Sequence, residues 1–595
     1  MDPQLIGFVL VATSVLSAWA GPPNIVVIMA DDMGWNDVSY HGSDQILTPN
    51  IDVIGYQGVM LHQYYTDAFG TPSRSAFFTG KYPSTTGTQS ESIRAAEDRG
   101  LSVTEKLLPS YLKDLGYSTH LVGKWGLGKS REQYLPTNRG FDSFFGFLDG
   151  AVDYYTYNLI EKWNRTEYFG LDLYENLNPV EDTKGHLSDV LTDRAVQLIR
   201  EHDTSEPLYL QLSHAAPHAG GGLVSLQAAP ASIDSNDHIA HSARRLYAGM
   251  VTQLDKSVGH IMAVLAEKEI LQNTIVVFIS DNGAAPVGPT QNFGSNLPFR
   301  GCKGTPWEGG VRASALLWHA GLVSEIWHGL FHVTDWLPTL VAAAGGNVSK
   351  VDGVNQWSAL KDNTQSTRES VLISIDDLNG WAAYREGDFK FVVGHLNNEA
   401  SKYHGSKLME LRLQGPAYEN SLLECETARI FKEFLERDLS IDNVIMKRND
   451  SSIIKIVDEE VSELCIPSQA KGCLYNIKDD PFEANDLWNA SPDLVKLLTL
   501  KIRSLWANII PRSVPKLDNR ANPSKKNFIW SPWVKEDEPY PQTLLTPPLF
   551  PLQVSKAELQ YLVDLNLGSF KEKMFDYIQN MGDSFVKSVG GLFNF

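Results

Sequence analysis

The sequence has few cysteines, a deficit of positive charge and, beyond its first residues, no long apolar run. It holds only 4 cysteines in 595 residues, and three of them lie in the C-terminal part. One disulfide is expected there in an oxidising compartment, with its pairing left open among Cys425, Cys465 and Cys473, while Cys302 lies apart from them. Lys and Arg number 51 against 71 Asp and Glu, a formal net charge of -20. Because nucleic-acid binding needs a basic face, this balance excludes nucleic acid as a partner.

What is present is typical of a folded protein of more than one domain. Hydrophobic residues make up 43% of the chain and charged residues 21%, far from the composition of disordered proteins. The length is too great for one compact core, so two domains and a tail are predicted. No later apolar run is long enough to cross a bilayer, and no transmembrane segment is predicted.

The first 20 residues have the pattern of a secretory signal peptide. Leu5 to Leu16 is mostly apolar, and Ala18-Trp19-Ala20 has the small-x-small pattern of a cleavage site. Four sequons for N-glycosylation fit passage through the secretory pathway. They lie at Asn164, Asn347, Asn449 and Asn489. The sequence predicts a glycoprotein and does not separate the lysosome from the extracellular space.

The first two thirds of the chain alternate short β-branched runs with helical stretches, which predicts a doubly wound α/β sheet. Buried strands are predicted at 24–29, 119–122, 208–212 and 274–279, and a helix at 243–268. Polar residues follow each of these four strands. They are Asp31-Asp32, Lys124, His214 with His218, and Asp281-Asn282. Because open α/β sheets bind ligands at the carboxyl ends of their strands, these residues are interpreted as one site.

The later part of the chain has a different pattern. Strand-like runs at 371–375, 381–384 and 389–393 and a helical run at 494–505 predict a smaller C-terminal α+β domain. The predicted domains are a signal peptide at 1–20, a main α/β domain at 21–365, the α+β subdomain at 366–510, and a Pro-rich wrap with an amphipathic helical tail at 511–595. The tail helix, from Lys556, is expected to pack on the body or on a second copy, and the oligomeric state is left open.

The chemistry of the predicted site suits a hard cation beside an oxyanion. Asp31, Asp32, Asp281 and Asn282 offer only oxygen ligands, which favours Ca²⁺ or Mg²⁺ over Zn²⁺. A second group of residues is cationic and comprises Arg74, Lys124 and Lys303. These cations could converge on an anionic group next to the metal.

At this point the sequence resembles the type I sulfatases, and within them the arylsulfatase B group (N-acetylgalactosamine-4-sulfatases). The resemblance covers residues 22 to 510 and rests on several blocks that occur in order. They are Asp31-Asp32-Met33-Gly34-Trp35-Asn36-Asp37-Val38, Thr71-Pro72-Ser73-Arg74-Ser75, Leu135-Pro136-Thr137-Asn138-Arg139-Gly140-Phe141-Asp142 and Tyr247-Ala248-Gly249-Met250. It implies the alkaline-phosphatase-like sulfatase fold, with a large mixed sheet flanked by helices.

The resemblance also implies roles for single residues. The family oxidises a cysteine in a Cys-x-Pro-Ser-Arg signature to formylglycine, whose hydrate attacks sulfur while Ca²⁺ and cations hold the sulfate oxygens. One Ca²⁺ per chain would be held by Asp31, Asp32, Asp281 and Asn282. Arg74 would support the nucleophile, and Lys124, His218 and Lys303 would bind the sulfate or the leaving group. His214 is expected to be a structural neighbour.

Two departures from the family pattern decide the reading of the site. Gly70 stands where the family has the cysteine, and Gly126 stands where it has a histidine after Gly123-Lys124-Trp125. A glycine has no Cβ and cannot become formylglycine, so the nucleophile is lost. Thr71 lies one residue further along, so its side chain is expected to point elsewhere.

These observations leave three functions open. The favoured one is a catalytically impaired sulfatase-family protein that binds calcium and a sulfated small molecule or glycosaminoglycan sugar. The second is an active sulfate ester hydrolase that uses water or another nucleophile. The third is a secreted interaction protein that acts through its C-terminal tail.

Overall fold

The fold was analysed in a computed structural model of the full chain. The structure describes residues 21–396, 398–403, 415, 417–453, 464–540 and 549–552. The predicted signal peptide and the predicted tail helix from Lys556 lie outside the described residues. Among the described helices, none is both long and apolar enough to cross a membrane.

Strands are numbered in chain order through the described residues. They are β1 Asn24–Ala30, β2 Val59–Tyr65, β3 Ser118–Lys124, β4 Ser143–Phe147, β5 Asn158–Trp163, β6 Thr166–Leu171, β7 Tyr174–Glu175, β8 Asn178–Pro179, β9 Leu208–Ser213, β10 Thr274–Ser280, β11 Ala315–Trp318, β12 Glu325–His332, β13 Ser370–Asp376, β14 Trp381–Glu386, β15 Phe389–Gly394 and β16 Cys473–Asn476.

The α-helices are numbered in the same way. They are α1 Pro49–Gln57, α2 Gly70–Thr79, α3 Pro83–Thr86, α4 Leu108–Lys113, α5 Leu187–Glu201, α6 Pro230–Asp234, α7 Ser242–Glu267, α8 Glu308–Val311, α9 Trp336–Ala343, α10 Trp357–Lys361, α11 Glu399–Lys402, α12 Tyr418–Glu424, α13 Glu426–Leu435, α14 Ile441–Ser451 and α15 Pro492–Ala507.

The centre of the molecule is a mixed sheet of ten strands in the order β12-β2-β11-β10-β1-β9-β3-β4-β7-β8. The run from β10 through β1, β9 and β3 to β4 is parallel, whereas β11 and β7 pair antiparallel to their neighbours. The four strands predicted from β-branched content are β1, β3, β9 and β10, and they are adjacent in this sheet. Their carboxyl ends therefore share one edge, which confirms the expected large mixed sheet.

The sheet has a hydrophobic layer on each face, as a doubly wound sheet requires. Along β1, Val26 and Ile28 belong to one buried cluster, and Ile25 and Val27 belong to the other. Successive side chains of a strand point to opposite faces of the sheet. Since both faces are covered, each of these four side chains is fully buried. The long helix α7 packs on α5 and α1 over the first face. The predicted helix at 243–268 is thus confirmed within one residue at each end.

The smaller sheet is antiparallel, in the order β13-β14-β15-β16, and α15 packs against it. Three of its strands and the helix follow the predicted runs, so the C-terminal α+β region is confirmed. The domain boundary at 365/366 remains a prediction, and it falls in the connection between α10 and β13. The disulfide expected in this region is present and joins Cys465 to Cys473, whereas Cys302 and Cys425 are free and buried.

The segment that follows α15 is attached to the rest of the folded chain by buried contacts. Trp530 is fully buried, and its indole Nε1 donates to the carbonyl of Leu159. Lys129 lies over the same indole, 4.6 Å from the ring centroid. Arg131 donates to the carbonyls of Glu538 and Pro539 at 2.7 and 3.0 Å. The segment up to residue 540, which we call the strap (residues 512–540), is therefore part of the folded body.

A buried carboxyl group in α1 predicts a dependence of stability on pH. The Asp52 side chain accepts hydrogen bonds from Thr48 and Tyr418, and burial raises its pKa to about 7. In the unfolded chain Asp52 ionises at its ordinary, lower pKa, so it destabilises the fold progressively between about pH 4 and pH 7, by up to about 4 kcal/mol. Asp52→Asn removes this pH-dependent destabilisation. The difference in melting temperature, variant minus natural chain, should therefore rise between pH 4.5 and pH 7.5. Parallel pH profiles for the two proteins would contradict it.

Candidate metal and oxyanion site

The acidic residues of the site lie at the carboxyl ends of two paired parallel strands. Asp31 and Asp32 follow β1, Asp281 and Asn282 follow β10, and the register pairs Ala30 with Ser280 directly before them. The Asp32 amide donates to Asp281 Oδ1 at 3.1 Å, and Asn282 Nδ2 donates to Asp32 Oδ1 at 2.7 Å. All four side chains are almost fully buried. The structure thus brings together the four residues that the sequence predicted as metal ligands.

Three cations reach this acidic group from three other elements. Lys124, the last residue of β3, places Nζ 2.7 Å from Asp31 Oδ2. Lys303, in the loop before α8, places Nζ 2.7 Å from Asp32 Oδ2. Arg74, in α2, donates from Nε and Nη2 to Asp281 Oδ2 at 3.1 and 2.9 Å. Three buried carboxylates and three buried cations therefore balance one another, as buried charges must.

His218 joins the same cluster from the turn after β9. Its Nε2 lies 3.1 Å from Lys303 Nζ and 3.5 Å from Asp32 Oδ2. Asp31, Asp32 and His218 bring ligand atoms close enough together to hold a metal ion. Tyr154 supports the turn, because its hydroxyl lies within hydrogen-bonding distance of the carbonyls of Ala215 and His218. No pattern in the sequence around Tyr154 indicated this role.

Burial raises the pKa of Asp281 and lowers the pKa values of Lys124 and His218. Two other groups of the cluster stay charged despite their burial. Burial pushes the pKa of Asp31 upward, but Lys124, His218 and Arg74 together hold it below its ordinary value. Burial likewise opposes the charge on Lys303, but Asp32 and Asp31 hold the pKa of its ammonium above the ordinary value. Asp31 is therefore an anion and Lys303 a cation under neutral conditions.

Several buried polar atoms of the cluster fit a cation and an oxyanion. Asp31 Oδ1 and Asn282 Oδ1 are buried and have no hydrogen-bond partner among the described residues. Arg74 Nη2 lies 3.6 Å from Asp31 Oδ1. These are hard oxygen donors of the type that Ca²⁺ and Mg²⁺ prefer. Arg74 Nη1 is a buried donor that also lacks a hydrogen-bond partner within the described ranges, which suits an anion next to the metal.

Gly70, the first residue of α2, faces the centre of this cluster. A Cβ built on it would lie 2.9 Å from Asp281 Oδ2, 3.7 Å from Lys124 Nζ and 3.8 Å from Arg74 Nε. The position is also at the N-terminus of a ten-residue helix, where the partial positive charge of the helix favours anions. A side chain here would point at the ligands, and the chain provides none.

Gly126 lies beside the side chains of two of the same cations, Lys124 and Arg74. Its φ of +70° is in the left-handed region, where glycine is unstrained and histidine is among the better-tolerated side chains. A Cβ on Gly126 would lie 3.5 Å from Lys124 Cε and 3.6 Å from Arg74 Cδ, which are ordinary contact distances. The position therefore has room for a side chain that would lie against Lys124 and Arg74.

Thr71 and His214, for which the sequence predicted no role in the chemistry of the site, are hydrogen-bonded to groups other than its carboxylates and cations. Thr71 donates its hydroxyl to the carbonyl of Gly126 at 2.8 Å, so it is held away from the carboxylates. His214 is fully buried with Nε2 2.9 Å from Ser257 Oγ of α7, and burial lowers its pKa to about 3. His214 is therefore a neutral packing residue between β9 and α7.

The structure identifies residues that position the Asp31-Asp32 turn and that the sequence analysis did not predict. Asp37 forms a buried ion pair with Arg244 of α7, at 2.6 Å, and accepts a hydrogen bond from Tyr247 at 2.6 Å. Asn292 donates from Nδ2 to the carbonyl of Asp32 at 2.9 Å. Asp37 and Tyr247 lie in two of the sequence blocks that resemble the sulfatases, so the sequence marked both residues. No feature of the sequence indicated that their side chains are in contact.

The predicted glycosylation sites are accessible in the structure. Each of the four asparagines is exposed. They occupy the β5–β6 turn, the loop after α9, helix α14 and the loop before α15. Accessibility is a requirement for glycosylation, and the modification itself remains a prediction.

Comparison with known proteins places the chain among sulfatases. The sulfatase family profile matches residues 23–346. Arylsulfatase J of Mus musculus is 33% identical over 531 residues, which are 88% of this chain and 82% of that protein. N-acetylgalactosamine-6-sulfatase of Homo sapiens is 31% identical over 398 residues, 62% of this chain and 74% of that protein. Arylsulfatase A of Homo sapiens is 30% identical over 416 residues, 66% of this chain and 79% of that protein. The particular likeness to arylsulfatase B remains a prediction.

Solved structures share the fold. Ps i-CgsB aligns with a TM-score of 0.63 at 24% identity, over 83% of this chain and 94% of that chain. The PsFucS1 sulfatase from Pseudoalteromonas sp. aligns with a TM-score of 0.58 at 22% identity, over 85% of this chain and 95% of that chain. At these identities the likeness concerns the arrangement of the sheet and its helices.

Proposed function

Because this chain belongs to the sulfatase family, we propose that it binds a calcium ion and a sulfated ligand and lacks the family's formylglycine chemistry. The observation that carries the proposal is Gly70. Its missing side chain would lie within 2.9 to 3.8 Å of Asp281, Lys124 and Arg74. The surrounding carboxylates and cations are all retained. The chain has therefore kept the groups that bind and lost the group that attacks.

Calcium would be held by Asp31, Asp32, Asp281 and Asn282. Their oxygen donors, two of which are buried and accept no hydrogen bond from the described residues, match the preference of Ca²⁺ for six to eight oxygen ligands. When bound, the ion would supply positive charge at the sulfate oxygens.

The sulfate group itself would be held by the protein's cations. Arg74 Nη1 is a buried donor without a hydrogen-bond partner in the described part of the chain, and the ammonium groups of Lys124 and Lys303 already lie at the carboxylates. His218, 3.1 Å from Lys303, would contact the ester oxygen that joins the sulfate to the rest of the ligand. These charge-assisted hydrogen bonds select an anionic group with several oxygens.

Hydrolysis would be strongly impaired because the covalent mechanism has no nucleophile. Without a side chain at residue 70 no sulfated enzyme intermediate forms, and without one at residue 126 no histidine assists its breakdown. Electrostatic stabilisation by the remaining groups usually recovers only a small part of an enzyme's acceleration.

The ligand is proposed to be a sulfated sugar met in the secretory pathway. One relative is named for its action on N-acetylgalactosamine 6-sulfate, and it shares 31% identity over 74% of its length. The predicted signal peptide and the four exposed sequons support a glycoprotein of the lysosome or the extracellular space.

A second candidate, hydrolysis by water, is favoured by one observation. The space left by Gly70 lies near Asp281 Oδ2, Lys124 Nζ and Arg74 Nε, so a water molecule there would have three polar partners. Such a water could attack sulfur directly and give its proton to Asp281, while the S–O bond to the sugar breaks and the sugar oxygen takes a proton from the ammonium of Lys303. This route would be slow, because water is a weaker nucleophile than a formylglycine hydrate.

Calorimetry with a sulfated sugar tests the proposal. N-acetylgalactosamine 6-sulfate should bind the purified protein in the presence of calcium, and chelation should weaken binding at least about tenfold because the metal's charge is lost. Unsulfated N-acetylgalactosamine is the matched control and should not bind detectably. Absence of binding at millimolar concentrations of both the 4-sulfate and the 6-sulfate would refute the proposal.

A further inference from the structure

The β5–β6 hairpin is hydrogen-bonded to two segments that lead out of the site. The amide of Ile160 in β5 donates to the carbonyl of Gly221, three residues after His218, at 2.8 Å. On the other side Arg94 donates to the carbonyl of Lys162 at 2.7 Å. Arg94 follows Ile93, whose amide donates to the Thr71 hydroxyl beside Gly70.

The outward face of this hairpin carries an exposed aromatic pair. Strand register places Phe169 opposite Ile160. The ring of Phe169 stacks on the ring of Phe528 from the strap, with centroids 5.1 Å apart and planes 19° apart. Phe169 is 55% exposed and Phe528 50% exposed. Large aromatic side chains displayed side by side on a surface commonly mark a binding surface.

The strap holds Phe528 in a fixed and unfavourable backbone conformation. Asn527 and Phe528 have φ values of +54° and +59°, in the left-handed region that bulky residues avoid. The amide of Leu171 donates to the carbonyl of Phe528 at 2.7 Å, and the amide of Trp530 donates to that of Leu171 at 2.9 Å. Backbone strain of this kind persists where the surrounding structure enforces it, and it clusters at ligand sites.

The charge around the pair suits an anionic ligand in spite of the acidic chain. Lys162, Arg165 and Lys525 are exposed on the hairpin and the strap that carry the two rings. Of the acidic residues on the hairpin, Glu161 pairs with Arg94. Lys162 has one acidic neighbour, Glu167 at 3.3 Å, and this pair is solvated and weak. The hairpin and the strap that carry the rings thus also carry exposed cations, and the hairpin is bonded to segments that lead to a site proposed to bind sulfate.

We propose that Phe169 and Phe528 form a stacking platform for the sugar rings of a sulfated oligosaccharide whose terminal sulfated residue occupies the metal and oxyanion site. The apolar faces of pyranose rings pack on aromatic rings, and the sulfate groups along the chain meet Lys162, Arg165 and Lys525. This inference rests on the proposed function for its terminal sugar. It adds a second binding site, which makes affinity increase with the length of the sugar chain.

The test compares a long and a short ligand by calorimetry in the presence of calcium. The probes are a chondroitin sulfate hexasaccharide and the monosaccharide N-acetylgalactosamine 6-sulfate. Phe169→Ala and Phe528→Ala should each weaken hexasaccharide binding about five- to tenfold and leave monosaccharide binding unchanged. Phe169→Trp should restore the hexasaccharide affinity. Met446→Ala, which truncates a side chain that is also 55% exposed but lies on α14, is the matched control.

Several outcomes would overturn the platform. An equal loss for both ligands would mean that the variants disturb the site, and no loss for either would mean that the rings do not contact sugar. A change in oligomeric state in the phenylalanine variants would assign the rings to an interface between copies. A gain of hexasaccharide affinity in Asn164→Gln would mean that the chain's own glycan, attached at the hairpin turn, occupies the two rings.

Failure of the proposed function can be told apart from failure of the platform. If the natural chain binds no sulfated monosaccharide, the platform is tested with a chemically desulfated hexasaccharide by saturation-transfer NMR. Transfer to its ring protons that disappears in Phe169→Ala and Phe528→Ala supports the platform on its own. Absence of transfer in the natural chain overturns it.

Discussion

A Gly70→Cys/Gly126→His variant, produced in cells that convert the sulfatase cysteine to formylglycine, is expected to hydrolyse 4-nitrophenyl sulfate at least about a thousandfold faster than the natural chain. The reason is geometric. A Cβ at residue 70 would reach within 2.9 Å of Asp281 Oδ2, an oxygen at the end of a side chain that can rotate. The new side chain would therefore enter a site whose carboxylates and cations are already in place.

The single variants separate the two losses. Gly70→Cys alone should be modified and sulfated by the substrate but turn over slowly, because no histidine assists release. Gly70→Ala is the control, since it adds the same Cβ without a nucleophile and should be as inactive as the natural chain. Histidine at residue 126 must adopt a φ near +70°, at a cost of about 1 kcal/mol, which the fold should tolerate. An inert double variant with formylglycine verified by mass spectrometry would show that the site is damaged elsewhere.

Asp281→Asn is expected to abolish calcium binding, with a loss in affinity of at least about a hundredfold. Asp281 is fully buried, accepts the Asp32 amide through Oδ1 and holds Arg74 through Oδ2. Removing its charge leaves Arg74 without its closest partner and deprives the metal of an anionic ligand. The measurement is calcium titration by calorimetry, together with the rise in melting temperature that calcium produces in the natural chain.

Asp52→Asn is the matched control for this experiment. Asp52 is as deeply buried as Asp281 but lies in α1, where it accepts hydrogen bonds from Thr48 and Tyr418. Its substitution should leave calcium affinity unchanged. If Asp281→Asn keeps both the affinity and the calcium-dependent stabilisation, Asp281 is not a ligand and the assignment of the metal site is wrong.

Much of the site could be predicted because it lies at strand ends. The β-branched runs of β1, β3, β9 and β10 identify the strands, and adjacent parallel strands bring the residues that follow them to one edge. The identity of Gly70 and Gly126 was informative because a missing side chain has the same chemical consequence in any conformation. The structure adds that both positions face Lys124 and Arg74.

The contacts that the sequence did not predict join segments that are far apart in the chain. Phe169 and Phe528 stack although more than 350 residues separate them in numbering, and no local periodicity indicates such a pairing. The strap was expected only to wrap the surface, yet Trp530 is fully buried in the main body. A deletion that begins just after Arg512 would therefore expose core, and a deletion that tests the tail has to begin beyond the strap. The pairing of Asp37 with Arg244 and Tyr247 was missed for the same reason.

The most direct test of the account is to measure ligand binding and sulfate release in the same sample. The natural chain, loaded with calcium and saturated with N-acetylgalactosamine 6-sulfate, is followed by calorimetry for binding and by ion chromatography for free sulfate. The account predicts saturable, calcium-dependent binding with no sulfate release above that of Asp281→Asn. Steady release of sulfate by the natural chain, absent in Asp281→Asn, would contradict it and would identify a working hydrolase with a different attacking group.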